Sequence, residues 1–152
     1  ISKQVVKAPK LHFLDSGLAC YLLGIREPEQ LRLHPLRGAI FESWVIAEIY
    51  KGQVHRGLPP ALFHYRETRG LEIDLLIDRG QRFDAIEIKS GATATPDFFR
   101  NLQRFPERLR AASETRSVAN YVVYGGSESQ QRSYARLLAW NAVERTLAAE
   151  PG

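Results

Sequence analysis

The chain has 152 residues, 44% hydrophobic and 25% charged, with a formal net charge of +4, ordinary values for one soluble domain with a real core. The mild basicity permits an anionic partner without demanding one. The single cysteine, Cys20, excludes an internal disulfide and a cysteine-rich zinc cluster, and no apolar run approaches a membrane span, so no membrane partner is expected.

Cys20 lies among Leu18, Ala19, Tyr21, Leu22 and Leu23, which predicts a buried core thiol. A reducing cytoplasm fits, and no signal peptide is visible; a cytoplasmic location is expected. The chain begins at Ile1 and has no methionine. It is therefore expected to be the C-terminal part of a longer protein, with residues 1–9 a linker remnant and residues 10–150 a single domain.

In chain order, Asp15 or Ser16 can cap a short helix over residues 17–23 that Gly24 stops. Pro28 opens a brief helical turn. Residues 37–50 form the clearest helix. Ile40, Trp44 and Ala47 make one apolar row, and Phe41, Val45, Ile46 and Ile49 another, so the helix is expected to be largely buried. Glu42 sits within that surface, with Val45, Ile46 and Ile49 as its i+3, i+4 and i+7 neighbours. An unpaired carboxylate there is costly. Glu42 is either salt-bridged to an Arg or Lys, a first-turn acid at the rim, or a member of a site.

Residues 61–66 read as a strand, and Glu67-Thr68-Arg69-Gly70 as a turn into the next. Leu71, Ile73, Leu75 and Ile77 then alternate with Glu72, Asp74, Leu76 and Asp78, the period-2 pattern of a strand with two unlike faces. Asp78-Arg79-Gly80-Gln81 supplies a tight turn, and a second strand covers residues 83–89. On it Ile86 and Ile88 share one face; Ala85, Glu87 and Lys89 share the other. Such a hairpin brings Asp74 near Glu87 with Lys89 beside them.

After a loop, a helix is predicted from residue 97 toward 109, interrupted or kinked near Pro106. Arg100, Arg104 and Arg108 recur along one side, as a solvated face or as one turned to phosphates. A fourth strand spans residues 117–124, residues 128–132 read as loop, residues 134–139 as a fifth, edge strand, and residues 140–149 as a terminal helix.

Two or three carboxylates with waters suffice to hold Mg²⁺, and such an ion activates water and polarises a phosphoryl oxygen. A lysine beside the carboxylates suits phosphodiester hydrolysis. The four histidines have no zinc-site spacing, Ser90 lacks a His-Asp context, and there is no GxxxxGK loop for ATP.

Asp74 followed by Glu87-Ile88-Lys89 resembles the (P)D…(D/E)xK motif of the restriction-endonuclease-like nucleases, with Ile73 where the motif's proline would stand. Gly38-Ala39-Ile40-Phe41-Glu42 resembles the helical acid that precedes it. More broadly, the chain resembles the C-terminal domain appended to a family of bacterial and archaeal AAA-type ATPases. That likeness rests on Lys10-Leu11-His12-Phe13-Leu14-Asp15-Ser16-Gly17-Leu18, His34-Pro35-Leu36-Arg37-Gly38, Glu72-Ile73-Asp74-Leu75-Leu76, Ile86-Glu87-Ile88-Lys89-Ser90-Gly91 and Val123-Tyr124-Gly125-Gly126.

The resemblance implies a restriction-endonuclease-like α/β fold with a central mixed sheet of 4–5 strands flanked by helices. It implies an ATPase domain upstream in the same chain, DNA as partner, and Mg²⁺ or Mn²⁺ as cofactor. Carried over by position, Glu42, Asp74 and Glu87 become metal ligands and Lys89 the catalytic lysine, with Glu72 an accompanying acid. Arg69, Arg100, Arg104 and Arg108 become candidate DNA contacts. The function expected is metal-dependent phosphodiester hydrolysis; the alternative is a catalytically inactive module that binds DNA or a protein for the ATPase.

Overall fold

A computed structural model describes residues 10–67 and 70–148. The predicted linker at residues 1–9, the turn residues Thr68 and Arg69, and the end of the predicted terminal helix lie outside the described residues.

Asp15 extends its backbone and accepts the Leu18 N–H at 3.0 Å, the N-cap geometry that starts a helix. The result is α1, Ser16–Leu22, followed by α2, Pro28–Leu33, with proline at its start. The third helix, α3, Arg37–His55, runs a turn beyond its predicted end. Its buried face is Ile40, Val45, Ile46, Ala47 and Ile49; Phe41 and Trp44 are half-buried and stack at 5.9 Å between centroids.

Three strands follow as a meander: β1 Leu62–Arg66, β2 Glu72–Asp78 and β3 Arg82–Lys89. Gly80 takes φ +76° in the β2–β3 turn, a conformation that favours glycine. The chain then crosses through a 3₁₀ turn, Pro96–Phe99, into α4, Arg100–Ala111, and returns as β4, Ser117–Tyr124, parallel to β3. Two more strands, β5 Gln130–Gln131 and β6 Arg136–Ala139, complete a six-stranded sheet of order β1-β2-β3-β4-β6-β5. It is mixed: β3, β4 and β6 are parallel, the other pairs antiparallel.

The sheet carries a core on each face. Leu102, Phe105 and Leu109 of α4 pack on Leu71, Ile73, Phe83, Ala85 and Val122. On the other face Val45, Ile46 and Ile49 of α3, with Val143 and Leu147, cover Leu75, Ile77, Ile86, Ile88 and Val123. Each such side chain contributes roughly 1.5–3 kcal/mol of transfer free energy, so α3 and α4 fix the sheet between them.

Several expectations are corrected. The sheet has six strands, because Gln130–Gln131, read as loop, pairs antiparallel with β6. The strand read as an edge is interior: β6 lies between β4 and β5, because the two-residue β5, too short to show an alternation, takes the edge beside it. The α4 helix is not interrupted at Pro106, which lies inside it, and a 3₁₀ turn leads into its start. Phe105 and Leu109, buried on either side, hold the helix to the sheet despite the missing N–H. The terminal segment is a 3₁₀ turn, Trp140–Ala142, then a π-helical turn, Glu144–Ala148. Cys20 is half-buried, not buried, and lines a groove of about 530 Å³ with Arg37, Phe41, Trp44 and Trp140.

The alternation predicted for β2 is also broken. Phe63 pairs with Leu76 and Tyr65 with Ile73, so two steps of β1 face three of β2. This β-bulge sets Asp74 and Leu75 against His64 and moves the apolar side chains to the opposite face. Leu71 and Ile73 pack toward α4, Leu75 and Ile77 toward α3. Bulges turn side chains in this way and recur beside functional sites.

Candidate metal and phosphodiester site

The bulge positions Asp74. The β2–β3 ladder runs from Asp78–Phe83 to Leu75–Ile86. Just beyond its last rung, Asp74 Oδ2 accepts the Ile88 N–H at 2.8 Å, so a carboxylate takes over where a strand carbonyl would have paired. Glu87, 2% exposed, points from β3 to the α4 side. Lys89 Nζ lies 3.1 Å from Asp74 Oδ2 and 2.5 Å from Glu87 Oε2. The predicted trio of Asp74, Glu87 and Lys89 is therefore brought together.

The end of β3 that carries Lys89 is clamped. Gly125 donates its N–H to the carbonyls of Lys89 (3.1 Å) and Gly91 (3.0 Å). A Cβ on Gly125 would stand 2.5 Å from the Ser90 carbonyl oxygen, so only glycine allows β4 to close on the Ser90–Gly91 step. Arg37, at the start of α3, donates to that same carbonyl. The stretches that end in Gly91 and in Gly126 thus meet at one place, next to the site lysine.

Sequence reasoning missed a fourth member. Asn101 on α4 donates from Nδ2 to Glu87 Oε1 at 3.2 Å. Its signal was an amide three residues after Phe98 and four before Phe105, in the helix row that is otherwise apolar.

Burial, then the charge of Asp74, raises the Glu87 carboxyl to about 7; Lys89 and Asn101 pull the other way. Burial works against the Lys89 ammonium too, but Asp74 and Glu87 outweigh it and hold its pKa above the ordinary lysine value. At neutral pH the lysine is charged and Glu87 is near the middle of its titration.

Glu42 stands one cation away. Its Oε1 lies 2.5 Å from Lys10 Nζ, the salt-bridge reading of that residue. The same ammonium is 3.6 Å from Glu72 Oε1 and feels the charge of Asp74. Glu72 is further paired with His64 at 3.0 Å and Arg66 at 3.8 Å. Burial resists ionisation of Glu72, but these partners hold its pKa below the ordinary value. Among the described residues, no three His, Cys, Asp or Glu side chains are gathered to hold one metal ion. Asp74 and Glu87 nevertheless suit a hard cation, which often takes one or two carboxylates and fills its shell with water. Glu42, Asp74 and Glu87 share two ammonium groups, one of them shared again with Glu72, so negative charge is in excess.

The arginines predicted to meet DNA are placed as follows. Arg100 is exposed and paired with Asp97. Arg108 forks onto Glu67 with contacts of 2.7–3.1 Å. Arg104 is exposed on α4. Arg69 lies outside the described residues.

Residues 37–143 match a domain of unknown function, DUF4143. The chain belongs to this family. The matched stretch of the DUF4143 domain holds Glu42, Asp74, Glu87, Lys89 and Asn101; Lys10 precedes it. Similar proteins are the uncharacterised protein Mb2031c of Mycobacterium bovis and the uncharacterised protein Rv2008c of Mycobacterium tuberculosis. Each is 30% identical over 103 residues, 68% of this chain and 22% of the relative. The chain thus spans about a fifth of the length of the curated relatives it matches. Among the described residues no helix is long and apolar enough to cross a membrane.

Proposed function

We propose that this DUF4143 domain is a divalent-metal-dependent nuclease module that hydrolyses phosphodiester bonds in DNA, of restriction-endonuclease-like fold, and that it serves a larger AAA-type ATPase as its C-terminal part. The observation that carries the reading is the convergence of Asp74, Glu87 and Lys89 at the β2 bulge. The mixed sheet with helices on both faces supports the fold assignment.

Asp74 and Glu87 would hold Mg²⁺ or Mn²⁺, with Glu42 as the third carboxylate. A bound ion there supplies Lewis-acid polarisation of a phosphoryl oxygen and a water of lowered pKa. The Lys89 ammonium, kept charged by its two acids, donates to the attacking water or to the oxygen on which charge accumulates. Asn101 holds the Glu87 carboxylate in one orientation, and the Gly125 clamp fixes the backbone of Lys89. Arg104 is the described arginine of the stripe best placed for a phosphate backbone, since Arg100 and Arg108 are engaged by Asp97 and Glu67.

The test is incubation of the chain with supercoiled plasmid DNA and Mg²⁺ or Mn²⁺, beside Asp74→Ala and Lys89→Ala. Cleavage that requires metal and is lost in both variants is the expected result. A second reading, a catalytically inactive DNA- or protein-binding module of the ATPase, is favoured by one observation. Leu11, Phe13, Leu14, Leu18, Tyr21 and Leu22 are all large apolar residues at least 49% exposed, and apolar residues concentrated in this way mark interaction surfaces. Absence of cleavage, with capture of DNA or of the ATPase part intact, would select it.

A further inference from the structure

The ammonium of Lys10 joins Glu42 to Glu72 beside the candidate site. It lies 2.5 Å from Glu42 and 3.6 Å from Glu72, and burial, which opposes its charge, is overcome by Glu42, Asp74 and Glu72. Of the two closest carboxylates, Glu72 keeps His64 and Arg66 when Lys10 leaves. Glu42, only 16% exposed at its side chain, has Lys10 as its one ion-pair partner among the described residues. A buried carboxylate stripped of its cation is costly; Glu42 therefore needs either this lysine or another cation.

Lys10 stands ahead of α1 in a stretch with no helix or strand, and Leu11 beside it is 88% exposed. Lifting Lys10 breaks ion pairs but unpacks no core. His12 lies close by, its Nδ1 3.2 Å from Ser43 Oγ on α3; burial lowers its pKa, so it does not serve as a replacement cation near neutral pH.

We propose that Lys10 is the resident counter-ion of the site: its ammonium holds the place at Glu42 that a divalent cation seated at Asp74 and Glu87 takes over. Loading the cation is then an exchange, with Glu42 passing from the lysine to the metal. The inference rests on the metal-site reading above. It explains why Glu42 stands apart from the Asp74–Glu87 pair when Lys10 is in place, and it makes the segment before α1 a regulator of metal affinity.

The experiment is Mn²⁺ binding to the full 152-residue chain, measured by calorimetry and by electron paramagnetic resonance of free Mn²⁺, for wild type, Lys10→Gln, Glu42→Gln and the double variant. Lys10→Gln should bind Mn²⁺ roughly tenfold more tightly, equivalent to about 1.4 kcal/mol, and Glu42→Gln should erase that gain. In wild type, Mg²⁺ should shift the ammonium resonance of Lys10 while that of Lys51, paired with Glu48 on the outer side of α3, stays in place. Wild type that binds Mn²⁺ with an affinity unchanged or weakened by Lys10→Gln overturns the exchange and leaves the metal site standing. A chain in which no variant binds Mn²⁺ overturns the metal site and the exchange together. Lys10→Ala, with folding checked by circular dichroism, guards against an effect peculiar to glutamine.

Discussion

Two buried carboxylates lie three residues apart on β3, and the protein treats them differently. Asp84, fully buried, is gripped by Arg79 at 3.0 Å and Arg82 at 2.8 Å, and Arg79 also donates to the Leu147 carbonyl. It thereby ties the β2–β3 turn to the C-terminal segment. Glu87, on the opposite face, shares a single ammonium with Asp74 and has one amide donor. Two guanidinium groups for one acid make a structural joint; one ammonium for two acids leaves charge unbalanced. On the proposal above, this excess is what a divalent cation would balance.

The sharpest way to break this comparison is to neutralise each acid in turn. Asp84→Ala takes the buried carboxylate from the Arg79 guanidinium, whose side chain is 6% exposed, and breaks the pair with Arg82 as well; breaking a buried pair in this way is expected to cost about 3–5 kcal/mol in urea denaturation. A loss below about 1 kcal/mol, the value of an exposed pair, would show that Asp84 is not a joint.

That pair also marks what the sequence hides. The helix over α3 and the β2–β3 hairpin were legible because their apolar spacing is dense and their turn holds Gly80. The trio of Asp74, Glu87 and Lys89 was legible because it sits on adjacent strands joined by that short turn. The bulge was not, since Leu75 and Leu76 are both apolar and satisfy either face; only pairing with β1 decides which. The order of β4, β6 and β5 turns on β5, which is two residues long and carries no strand pattern. Lys10 reaches Glu42 through tertiary packing, where spacing along the chain says nothing; Asn101 leaves only its place in the apolar row of α4 as a sign of its contact with Glu87.

The second test is Glu87→Gln in the presence of a chelator, so that no metal intervenes. Folded Glu87 holds its proton up to about 7, whereas the ordinary value is 4.5. Between those values the folded state binds more protons than the unfolded state. Stability of the wild type is therefore expected to fall as pH rises from about 4.5 to about 7, then level off. Glu87→Gln removes this dependence and at pH 8 should be more stable than wild type by roughly 1–3 kcal/mol. Denaturation midpoints at pH 5 and pH 8 measure both. A variant that loses stability equally at the two pH values would mean that Lys89 compensates Glu87 fully, and the contrast with Asp84 would disappear.

The smallest effect concerns Asn101. Its amide donates to the ionised form of Glu87 at 3.2 Å, so Asn101→Ala removes one hydrogen bond, worth about 1 kcal/mol or less, and leaves the ion pair with Lys89 in place. The direction is more telling than the size. Without that donor the charged form of Glu87 is less favoured, and its titration should move to still higher pH. Asn101→Asp, which sets a third carboxylate beside Asp74 and Glu87, should move it further in the same direction. Carbon-13 NMR of the labelled Glu87 carboxyl group follows this directly in the metal-free protein. A midpoint unmoved in both variants would detach Asn101 from the site, and with it the claim that α4 contributes more than apolar cover to this face of the sheet.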